Sequence, residues 1–507
     1  MISAEKYLQL SDKYDLIPVY EEIIADTETP VSLYRCLSDF NDYSFLLESA
    51  DISHTSEMGR FSFIGLYPEK VIKKTEDGVC IQNGKGEERV LEDRRLNNYL
   101  SEFLEGLNVY ENEDLPPFSG GFVGYFGYEM IGEWEDLYHD QPGKELKRSE
   151  LPESILVMAK LLIVYDHLNN TLKIVDNIKV ETDMDREEKL NLYRESKERI
   201  ENLITSLGGV DQSREHEDNH SIKPGDLTSN TGREEFCSIV EKGKEYIREG
   251  DIFQIVLSQK FSVEVDIPAF EVYRALRVSN PSPYLFYLNF PEIKLMGSSP
   301  EVLVRVNGDR VITRPLAGTR RRGDSSSEDK EYRNDLLEDE KEKAEHVMLV
   351  DLGRNDLGRV CETGSVEVTE LMGIEYFTRV MHLVSQVEGK KKPDISSAGI
   401  LESVFPAGTV SGAPKIRAVE LINELEKEPR GPYAGSVGYL DFKGNLDTCI
   451  TIRTFSMVNN KLSVQVGAGI VAVSVPEKEY QETINKAQAL FEALDIVSRE
   501  VPYGLSY

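Results

Sequence analysis

The sequence is short of cysteine and has no long hydrophobic segment, and each shortage excludes a class of protein. Its five cysteines are dispersed and never spaced as Cys-x-x-Cys, so neither a disulfide framework nor a structural zinc site is predicted. The longest apolar run, residues 155–165, is interrupted by Lys160, and the N-terminus lacks a basic region followed by an apolar one. We therefore expect a cytoplasmic protein with no signal peptide and no membrane span.

Basic residues are also scarce, since 58 lysines and arginines stand against 90 aspartates and glutamates, which gives a formal net charge of −32. Such an acidic surface argues against nucleic acid or an anionic membrane as the main partner. It would also repel an anionic substrate. The binding site of such a substrate therefore needs its own arginines, backbone N–H groups or a metal ion.

The length and composition indicate a globular protein of at least two domains. The chain has 507 residues, of which 40% are hydrophobic and 29% charged. Residues 206–231 are polar and rich in Gly, Ser and Asp, which predicts a linker. We place an N-terminal domain at residues 1–205 and a C-terminal domain at residues 232–507.

Both halves alternate helical and β-like segments. The C-terminal half ends with three β-like segments, residues 435–442, 448–455 and 461–471, separated by turn residues at hairpin spacing, which predicts an antiparallel meander. The expected class is α+β with antiparallel sheets.

GFVGYF at 121–126 is similar to GSVGYL at 435–440, a short internal similarity suggesting that the halves share an architecture. Helices are predicted over residues 186–203, 234–249, 332–352, 413–425 and 477–497.

Acidic residues recur at helical spacing in the C-terminal half. Glu338, Glu342 and Glu345 occupy positions i, i+4 and i+7 of one predicted helix, so they would share a face. Spacing alone favours a solvated acidic face, and the alternative is a set of ligands for a divalent cation. Glu482 stands four residues before Lys486, which by itself indicates only an exposed ion pair.

Small and hydroxyl residues mark two possible anion sites. Thr409 and Ser411 precede a predicted helix with Pro414 in its first turn, so they are either helix caps or part of a site at the helix N-terminus. Gly467-Ala468-Gly469 closes the last predicted strand, where small side chains would admit either a ligand carboxylate or a neighbouring strand.

Cationic candidates for an anionic substrate are few. Arg453 is predicted in a central strand, on the face of Cys449 and Thr451, where it serves either an interior ion pair or a ligand carboxylate. Residues 314–323, RPLAGTRRRG, contain four arginines and supply the local positive charge that the acidic surface requires. His382 lies in an apolar segment, which suits a buried structural histidine or a proton-transfer group.

The order of these segments along the chain strongly resembles that of the chorismate-utilising enzymes. The resemblance covers about residues 232–495, and the N-terminal half adds LLESAD at 46–51, typical of the anthranilate synthase large subunit. It implies a four-layer α/β/β/α body with orthogonal antiparallel β-sheets. The matching segments are GDIFQIVLSQ, NPSPYLFYL, RPLAGTR, DEKEKAEHVMLVDLGRNDLGRV, RVMHLVS, GTVSGAPK, RGPYAGSVGYLDF, LDTCITIRT and VGAGIV.

The same resemblance assigns roles to residues of the C-terminal half. Glu345 and Glu482 would bind Mg²⁺ together with a substrate carboxylate, and Glu342 would protonate the C4 hydroxyl as it leaves. His382 would assist the later loss of pyruvate, and Thr409 would line the site. The residues expected to bind chorismate are Gly318, Thr319, Tyr433, Arg453, Gly467, Ala468 and Gly469.

A second site implied by the resemblance binds tryptophan as a feedback inhibitor. Ser49 of the N-terminal half and Pro283, Tyr284 and Leu285 of the C-terminal half match its segments, although the last position is often methionine in relatives. The alternative interpretation is that these residues form a buried strand edge and core packing.

Two positions select the reaction within the family. Gln254 stands at the position where relatives that add water to chorismate have a lysine, which serves them as the base. Glutamine cannot deprotonate water. Ala317 stands where aminodeoxychorismate synthases have lysine. The sequence therefore favours amination of chorismate and loss of pyruvate to give anthranilate, the first step of tryptophan biosynthesis. The alternatives are an aminodeoxychorismate synthase and a synthase that stops at 2-amino-2-deoxyisochorismate.

The nitrogen source is expected to be a separate protein. The chain shows no recognisable amidotransferase Cys/His/Glu constellation. We therefore expect ammonia from a glutamine amidotransferase subunit, and hence a hetero-oligomer.

Overall fold

The structure is a computed structural model. Its described residues are 1–37, 42–50, 57–139, 143–181, 183–208, 227–377 and 380–498. Most of the predicted linker, residues 209–226, lies outside them, as does Asp51 of the LLESAD segment. At the two ends of the predicted linker, a helix continues to Gly208 and a short strand occupies Thr228–Ser229.

Helices and strands alternate through both halves of the chain. The α-helices of the described residues are α1 (Ala4–Ser11), α2 (Pro30–Leu37), α3 (Glu57–Arg60), α4 (Leu96–Glu105), α5 (Ile131–Trp134), α6 (Arg186–Gly208), α7 (Arg233–Glu249), α8 (Ala269–Ser279), α9 (Ser326–Glu338), α10 (Glu340–Val360), α11 (Ser397–Val404), α12 (Lys415–Leu425) and α13 (Pro476–Ser498). The strands are β1 (Leu16–Ile24), β2 (Ser44–Glu48), β3 (Phe61–Thr75), β4 (Gly78–Asn83), β5 (Glu88–Leu91), β6 (Gly121–Phe126), β7 (Ser154–Asp166), β8 (Thr171–Lys179), β9 (Thr228–Ser229), β10 (Gln254–Glu264), β11 (Tyr284–Asn289), β12 (Lys294–Ser299), β13 (Val302–Asn307), β14 (Arg310–Thr313), β15 (Leu316–Arg321), β16 (Glu367–Tyr376), β17 (Val380–Lys390), β18 (Gly412–Ala413), β19 (Ser436–Asp441), β20 (Leu446–Ile450), β21 (Thr454–Val458) and β22 (Lys461–Ile470).

The strands of the two halves are joined by hydrogen bonds. Strand β2 pairs with β11, and β6 pairs with β19, so strands on both sides of the predicted linker share one network. The similar GFVGYF and GSVGYL segments are β6 and β19, and Gly124 lies opposite Gly438. The ladders between the named strands are antiparallel, and the hairpins β19–β20 and β21–β22 form as predicted. The expected α+β class with antiparallel sheets is confirmed.

Apolar faces of the helices cover the strands. Leu357 of α10, Leu401 of α11 and Ile422 of α12 are buried in one core together with Leu257 of β10 and Ile470 of β22. Full burial of each such side chain is worth about 1.5–3 kcal/mol. Helix α13 packs on α7, α8 and β22, and its buried residues Ala487, Leu490 and Leu494 belong to a second hydrophobic core. None of the described helices is both long and apolar enough to cross a membrane.

The helix predicted over residues 332–352 is broken, and this prediction was wrong. Asp339 leaves the helical conformation, with φ −71° and ψ 105°, and its side chain accepts hydrogen bonds from the N–H groups of Lys341 and Glu342. An aspartate that caps a new helix satisfies N–H groups that would otherwise lack a partner. Glu338 therefore ends α9 and does not share the face of Glu342 and Glu345, which lie on α10.

The strand predicted over residues 448–455 is also interrupted. Strand β20 ends at Ile450 and β21 begins at Thr454, while Arg453 has a left-handed φ of 50°. The Thr451 N–H bonds to the Gly435 carbonyl, and the Arg453 carbonyl accepts from the Ser298 N–H. Arg453 therefore does not extend a strand face with Cys449, because the backbone turns between the two strands.

Candidate active site

The predicted catalytic residues converge where β15, β17, β22 and α10 meet the turn at residues 408–410. Thr319 of β15 lies opposite His382 of β17 in the antiparallel ladder. The chain bulges between Ala317 and Thr319, and Gly318 there has a φ of 73°, a value that favours glycine. The bulge turns the Gly318 backbone toward α10, so a Cβ atom at this position would lie 3.2 Å from Glu342 Oε2.

His382 presents an unprotonated nitrogen in this site. Its Nδ1 lies 3.2 Å from the Gly318 carbonyl oxygen and 3.0 Å from Thr319 Oγ1. Because a carbonyl only accepts, Nδ1 carries the proton and Nε2 is left with a lone pair. Burial and the nearby Arg453 charge lower the pKa of His382 to about 4, so the ring is neutral at pH 7. Within the described residues its Nε2 has no hydrogen-bond partner.

Glu301, which follows β12, is a buried carboxylic acid that the sequence reading missed. Burial raises its pKa to about 8, against the opposing effects of the Thr409 hydroxyl, the Leu316 backbone and Arg453. The group is therefore largely protonated at pH 7. The available sequence signal is an acidic residue directly before an apolar β-segment, where its side chain would be buried. Carboxylates are rarely buried without a partner or a function.

Arg453 is the buried cation of the site. Burial lowers its pKa, and the effect of Glu301 opposes that change. Across the described ranges Arg453 forms no ion pair, and its acidic neighbour Glu301 is mostly neutral at pH 7. A buried guanidinium without an ionised partner favours binding of a ligand carboxylate over the interior ion pair.

The two acids of α10 face the site from the opposite side. Burial and the charge of Glu345 raise the pKa of Glu342, although Arg320 lies 4.0 Å from its Oε1. Glu345 Oε1 accepts a hydrogen bond of 3.3 Å from Gln254 Nε2. The Gln254 side-chain oxygen, Oε1, is buried and has no hydrogen-bond partner among the residues that the structure describes.

The end of β22 supplies a surface without side chains. A Cβ atom at Gly467 would lie 2.7 Å from the Tyr433 hydroxyl oxygen, and one at Gly469 would lie 2.9 Å from Gln254 Nε2. Ala468 points the other way, into the hydrophobic core. Glycine at both positions therefore keeps this face open between Tyr433 and Gln254.

Helix α13 brings a third set of charges to β22. Glu482 and Lys486 form the exposed ion pair expected from their spacing, with an Nζ–Oε1 distance of 2.7 Å. Lys486 Nζ also donates to the Gly467 carbonyl oxygen at 2.9 Å, which the sequence reading did not predict. Glu479, one turn earlier, was missed as well. Burial, and next the charge of Glu482, raise its pKa.

The donor set at this site fits a magnesium ion. Mg²⁺ prefers oxygen ligands and is commonly bound by one or two carboxylates together with water and substrate oxygens. Glu345 lies beside Gln254 next to Gly469, and Glu482 lies beside Lys486 next to Gly467, so each carboxylate adjoins the open end of β22. Among the described residues no cluster of three or more His, Cys, Asp or Glu side chains could hold a metal ion alone.

The arginines of residues 314–323 do not provide the expected positive surface. Each of the four is already bound to a neighbouring polar or acidic side chain. Their partners are Glu375 for Arg314, Asp335 and Asp339 for Arg320, Tyr332 for Arg321 and Asp329 for Arg322.

Thr409 and Ser411 are not helix caps. Helix α12 begins at Lys415, and its N-cap is Pro414, which makes no side-chain capping bond. Ser411 Oγ donates to the Ala407 carbonyl instead, while Thr409 faces Glu301. The structure thus brings Thr409 into the site and leaves Ser411 supporting the turn.

The four residues of the predicted regulatory site line one cavity of about 300 Å³. Ser49 follows β2, and Pro283, Tyr284 and Leu285 lie at the start of β11, which pairs with β2. The Tyr284 hydroxyl donates to Asp447 Oδ1 at 2.6 Å. The wall also includes Phe61, Phe63, Arg305, Tyr439 and Cys449.

Comparison with known proteins places the chain in a family. Residues 42–492 match the chorismate binding enzyme family. Anthranilate synthase component 1 of Acetivibrio thermocellus is 44% identical over 495 residues, covering 96% of this chain and 97% of that protein. The protein of that name from Bacillus subtilis is 40% identical over 502 residues, covering 97% and 94% respectively.

Solved structures agree with this placement and confirm the fold expected from the sequence. Anthranilate synthase component I of Streptococcus pneumoniae superposes with a TM-score of 0.74 at 36% identity, covering 93% of this chain and 99% of that chain. The menaquinone-specific isochorismate synthase of Escherichia coli shares the fold, with a TM-score of 0.69 at 18% identity over 97% and 98% of the two chains. This chain therefore belongs to the chorismate binding enzymes, in the group of anthranilate synthase component 1 proteins.

Proposed function

We propose that this chain aminates chorismate with ammonia and then eliminates pyruvate, so that chorismate and ammonia give anthranilate, pyruvate and water. The observation that carries the proposal is the hydrogen bond from Gln254 to Glu345. It places an amide, rather than a lysine base, beside the expected metal-binding carboxylate. Glutamine cannot activate water, whereas ammonia is itself a nucleophile.

Chorismate is held through its two carboxylates. Arg453, buried and without an ionised partner in the described ranges, binds one of them together with Tyr433 and the N–H groups of the Gly467-Ala468-Gly469 segment. The Gly318–Thr319 bulge and Thr409 line the ring of the substrate. Glu345 and Glu482 would hold Mg²⁺, whose charge neutralises the ring carboxylate and withdraws electron density from C2.

Two carboxylic acids are candidates for the donor that protonates the C4 hydroxyl as ammonia attacks C2. The resemblance assigns this role to Glu342, whose pKa is raised by burial and by Glu345. Glu301 competes for it, since a pKa of about 8 keeps it protonated at neutral pH. The protonation state favours Glu301 as donor. Its proximity to Arg453 and Thr409 puts it in the same site.

His382 is proposed to act in the second step. Its Nε2 lone pair can take the proton from C2 of the amino intermediate as the enolpyruvyl group leaves and the ring becomes aromatic. A pKa of about 4 keeps the ring neutral throughout the physiological range, so its lone pair is available, although the same value makes the free ring a weak base. Phe377 packs against the ring at 5.3 Å and restricts its rotation.

Two further parts of the proposal concern partners. A glutamine amidotransferase subunit supplies the ammonia, in a cytoplasmic hetero-oligomer. Tryptophan inhibits by binding the 300 Å³ cavity, to which residues 1–205 contribute Ser49, while residues 232–507 carry the catalytic groups. The relatives' designation as component 1 and the four predicted residues in one cavity support these assignments.

The nitrogen source provides the first test. The chain alone, with Mg²⁺ and chorismate, should form anthranilate when ammonium is added, and glutamine should not replace ammonium. Formation of anthranilate from glutamine by the isolated chain would contradict the need for a partner subunit.

The alternative product is aminodeoxychorismate, in which the amino group enters at C4. Ala317 lies in β15, one residue before Gly318, at the position where aminodeoxychorismate synthases have lysine. Alanine has no side-chain amine that could form a bond with the substrate ring. This position favours amination at C2.

A further inference from the structure

Arg430, in the segment between α12 and Tyr433, is buried beneath the substrate site. Its guanidinium donates to both carboxylate oxygens of Glu426, with distances of 2.9 Å from Nε and 2.6 Å from Nη2. Only 1% of the Arg430 side chain and 6% of the Glu426 side chain are exposed. Glu426 Oε1 also accepts from the N–H and the hydroxyl of Ser258, so the pair is fully hydrogen-bonded within the protein. A buried ion pair of this kind is tolerated only with such complete bonding.

The remaining donors of Arg430 bind two segments of the active site. Nη1 donates to the Val410 carbonyl oxygen at 2.7 Å, and Val410 directly follows Thr409. Nη2 donates to the Val256 carbonyl oxygen at 2.8 Å, and Val256 lies opposite Gly469 in the β10–β22 ladder. One side chain therefore fixes the spacing between the Thr409 turn and the strand that supports the open end of β22.

The same guanidinium supports the ring of Tyr433. Its central carbon lies 5.5 Å from the Tyr433 ring centroid and 4.7 Å from that of Tyr128. The Tyr433 hydroxyl in turn approaches Gly467, where a Cβ atom would be 2.7 Å from it. Arg430 thus contacts the side chain proposed to bind the substrate and the two backbone segments beside it.

The N-terminal half holds the backbone of this arginine. Glu129 is buried, and its Oε1 accepts from the Arg430 N–H at 2.7 Å, while its Oε2 accepts from the Gly431 N–H at 3.0 Å. The Gly431 carbonyl accepts from the Tyr128 N–H, so the two segments are bonded in both directions. Glu129 is not part of the proposed chemistry and lies more than 300 residues from its partners in sequence.

We infer that Glu129, Glu426 and Arg430 form a brace that positions Tyr433 and the Thr409 turn for the substrate, so that the N-terminal half controls the affinity of the site for chorismate. This inference rests on the proposed function. Glu129, Glu426 and Arg430 are positioning residues, because each acts through other groups and none is assigned a contact with the substrate.

Glu129→Gln tests the brace with little change in shape. The amide retains one acceptor and turns an NH₂ group toward the other backbone N–H, so the Arg430–Tyr433 segment loses half of its support. We expect the KM for chorismate to rise about tenfold, while kcat changes by less than about twofold. Amide hydrogen exchange at residues 430–434 should also become faster.

The matched control is Asp176→Asn, which weakens an equally buried carboxylate of the N-terminal half away from the site. Asp176 is fully buried and pairs with Arg199 at 2.8 Å. This variant should lower the melting temperature without changing the KM or the exchange at residues 430–434. An equal KM change in both variants would overturn the brace, because general destabilisation would then explain it.

Arg430→Lys provides a second test that does not depend on Glu129. Lysine keeps the charge opposite Glu426 but cannot reach the Val256 and Val410 carbonyls at once, so the KM should again rise more than kcat falls. An unchanged KM in either variant, with unchanged exchange at residues 430–434, would refute the inference. The exchange measurement needs no substrate, so it separates failure of the brace from failure of the proposed function.

Discussion

At the scale of single residues, the charged groups that lack an ionised partner are the ones available to bind a substrate in the proposed site. Arg453 and Glu301 are neighbours in a buried environment that raises the pKa of the acid and lowers that of the base. Arginines 320–322, by contrast, are all bound to local partners. The strand pattern singled out Arg453 and the resemblance chose substrate binding for it, whereas composition pointed to the arginine-rich turn. Burial, which the sequence does not reveal at a single position, explains the difference.

Glu301→Gln and Glu342→Gln should separate the two candidate proton donors. If Glu301 donates, kcat of the wild-type enzyme falls as the pH rises through about 8, because its folded pKa is about 8 and only the protonated form can act. Glu301→Gln should lower kcat by about 10²–10⁴-fold and abolish that limb of the pH profile. Steady-state rates from pH 6 to 9.5 provide the measurement. A limb that persists in Glu301→Gln but disappears in Glu342→Gln would assign the role to Glu342.

Gly467→Ala should impair substrate binding by displacing Tyr433. The added methyl group would lie 2.7 Å from the tyrosine hydroxyl, which belongs to a partly buried side chain packed against Arg430. We expect kcat/KM for chorismate to fall about 10–100-fold, since small displacements of binding groups are costly. Gly358→Ala is the control, because its Cβ atom would meet no atom within 4 Å. Equal activity of the two variants would remove Gly467 from the site.

At the scale of elements, four of the five predicted helices lie close to their predicted bounds, whereas α8, α11 and the break at Asp339 were not predicted. Helix α7 was predicted at residues 234–249 and found at Arg233–Glu249, where Gly250 with a φ of 86° ends it. The break at Asp339 stands among good helix formers, and its one local signal is the spacing of Asp339 three residues before Glu342, which is typical of a helix N-terminus. The break before Arg453 depends on bonds to Gly435 and Ser298, which are distant in sequence.

Asp339→Ala should destabilise the start of α10. The aspartate caps the N–H groups of Lys341 and Glu342, and loss of such a cap costs about 1 kcal/mol. Asp339→Asn is the matched variant, because asparagine can cap the helix but loses the ion pair with Arg320. Urea unfolding should therefore show a larger loss of stability for alanine than for asparagine. Equal losses would mean that the ion pair, rather than the cap, stabilises the junction.

At the scale of the whole molecule, one hydrogen-bonded network joins the halves that composition separated. The echo of GFVGYF and GSVGYL proved to be two strands paired with each other, which no sequence rule could specify. The proposed regulatory cavity lies on the same network. Strand β20 contributes Asp447 and Cys449 to its wall and leads, a few residues later, to Arg453. We propose that a ligand in the cavity acts through this strand on Arg453, the residue proposed to bind the substrate carboxylate.

Tryptophan should accordingly inhibit the enzyme, and Ser49→Phe should relieve that inhibition. A phenyl group at position 49 would occupy part of the 300 Å³ cavity and exclude the inhibitor. The measurement is a tryptophan titration, with each enzyme's rate expressed relative to its own rate without tryptophan. Activity of the wild-type enzyme that is indifferent to tryptophan, or a Ser49→Phe variant that is inhibited equally, would refute the regulatory assignment.

The central claim, amination at C2 followed by loss of pyruvate, is tested most directly by identifying the product by mass. The purified chain is incubated with chorismate, Mg²⁺ and ¹⁵N-labelled ammonium, and the separated products are identified by mass spectrometry. The account predicts fluorescent anthranilate that carries the label, formed together with one equivalent of pyruvate. Aminodeoxychorismate, isochorismate, or 2-amino-2-deoxyisochorismate as the final product would contradict it.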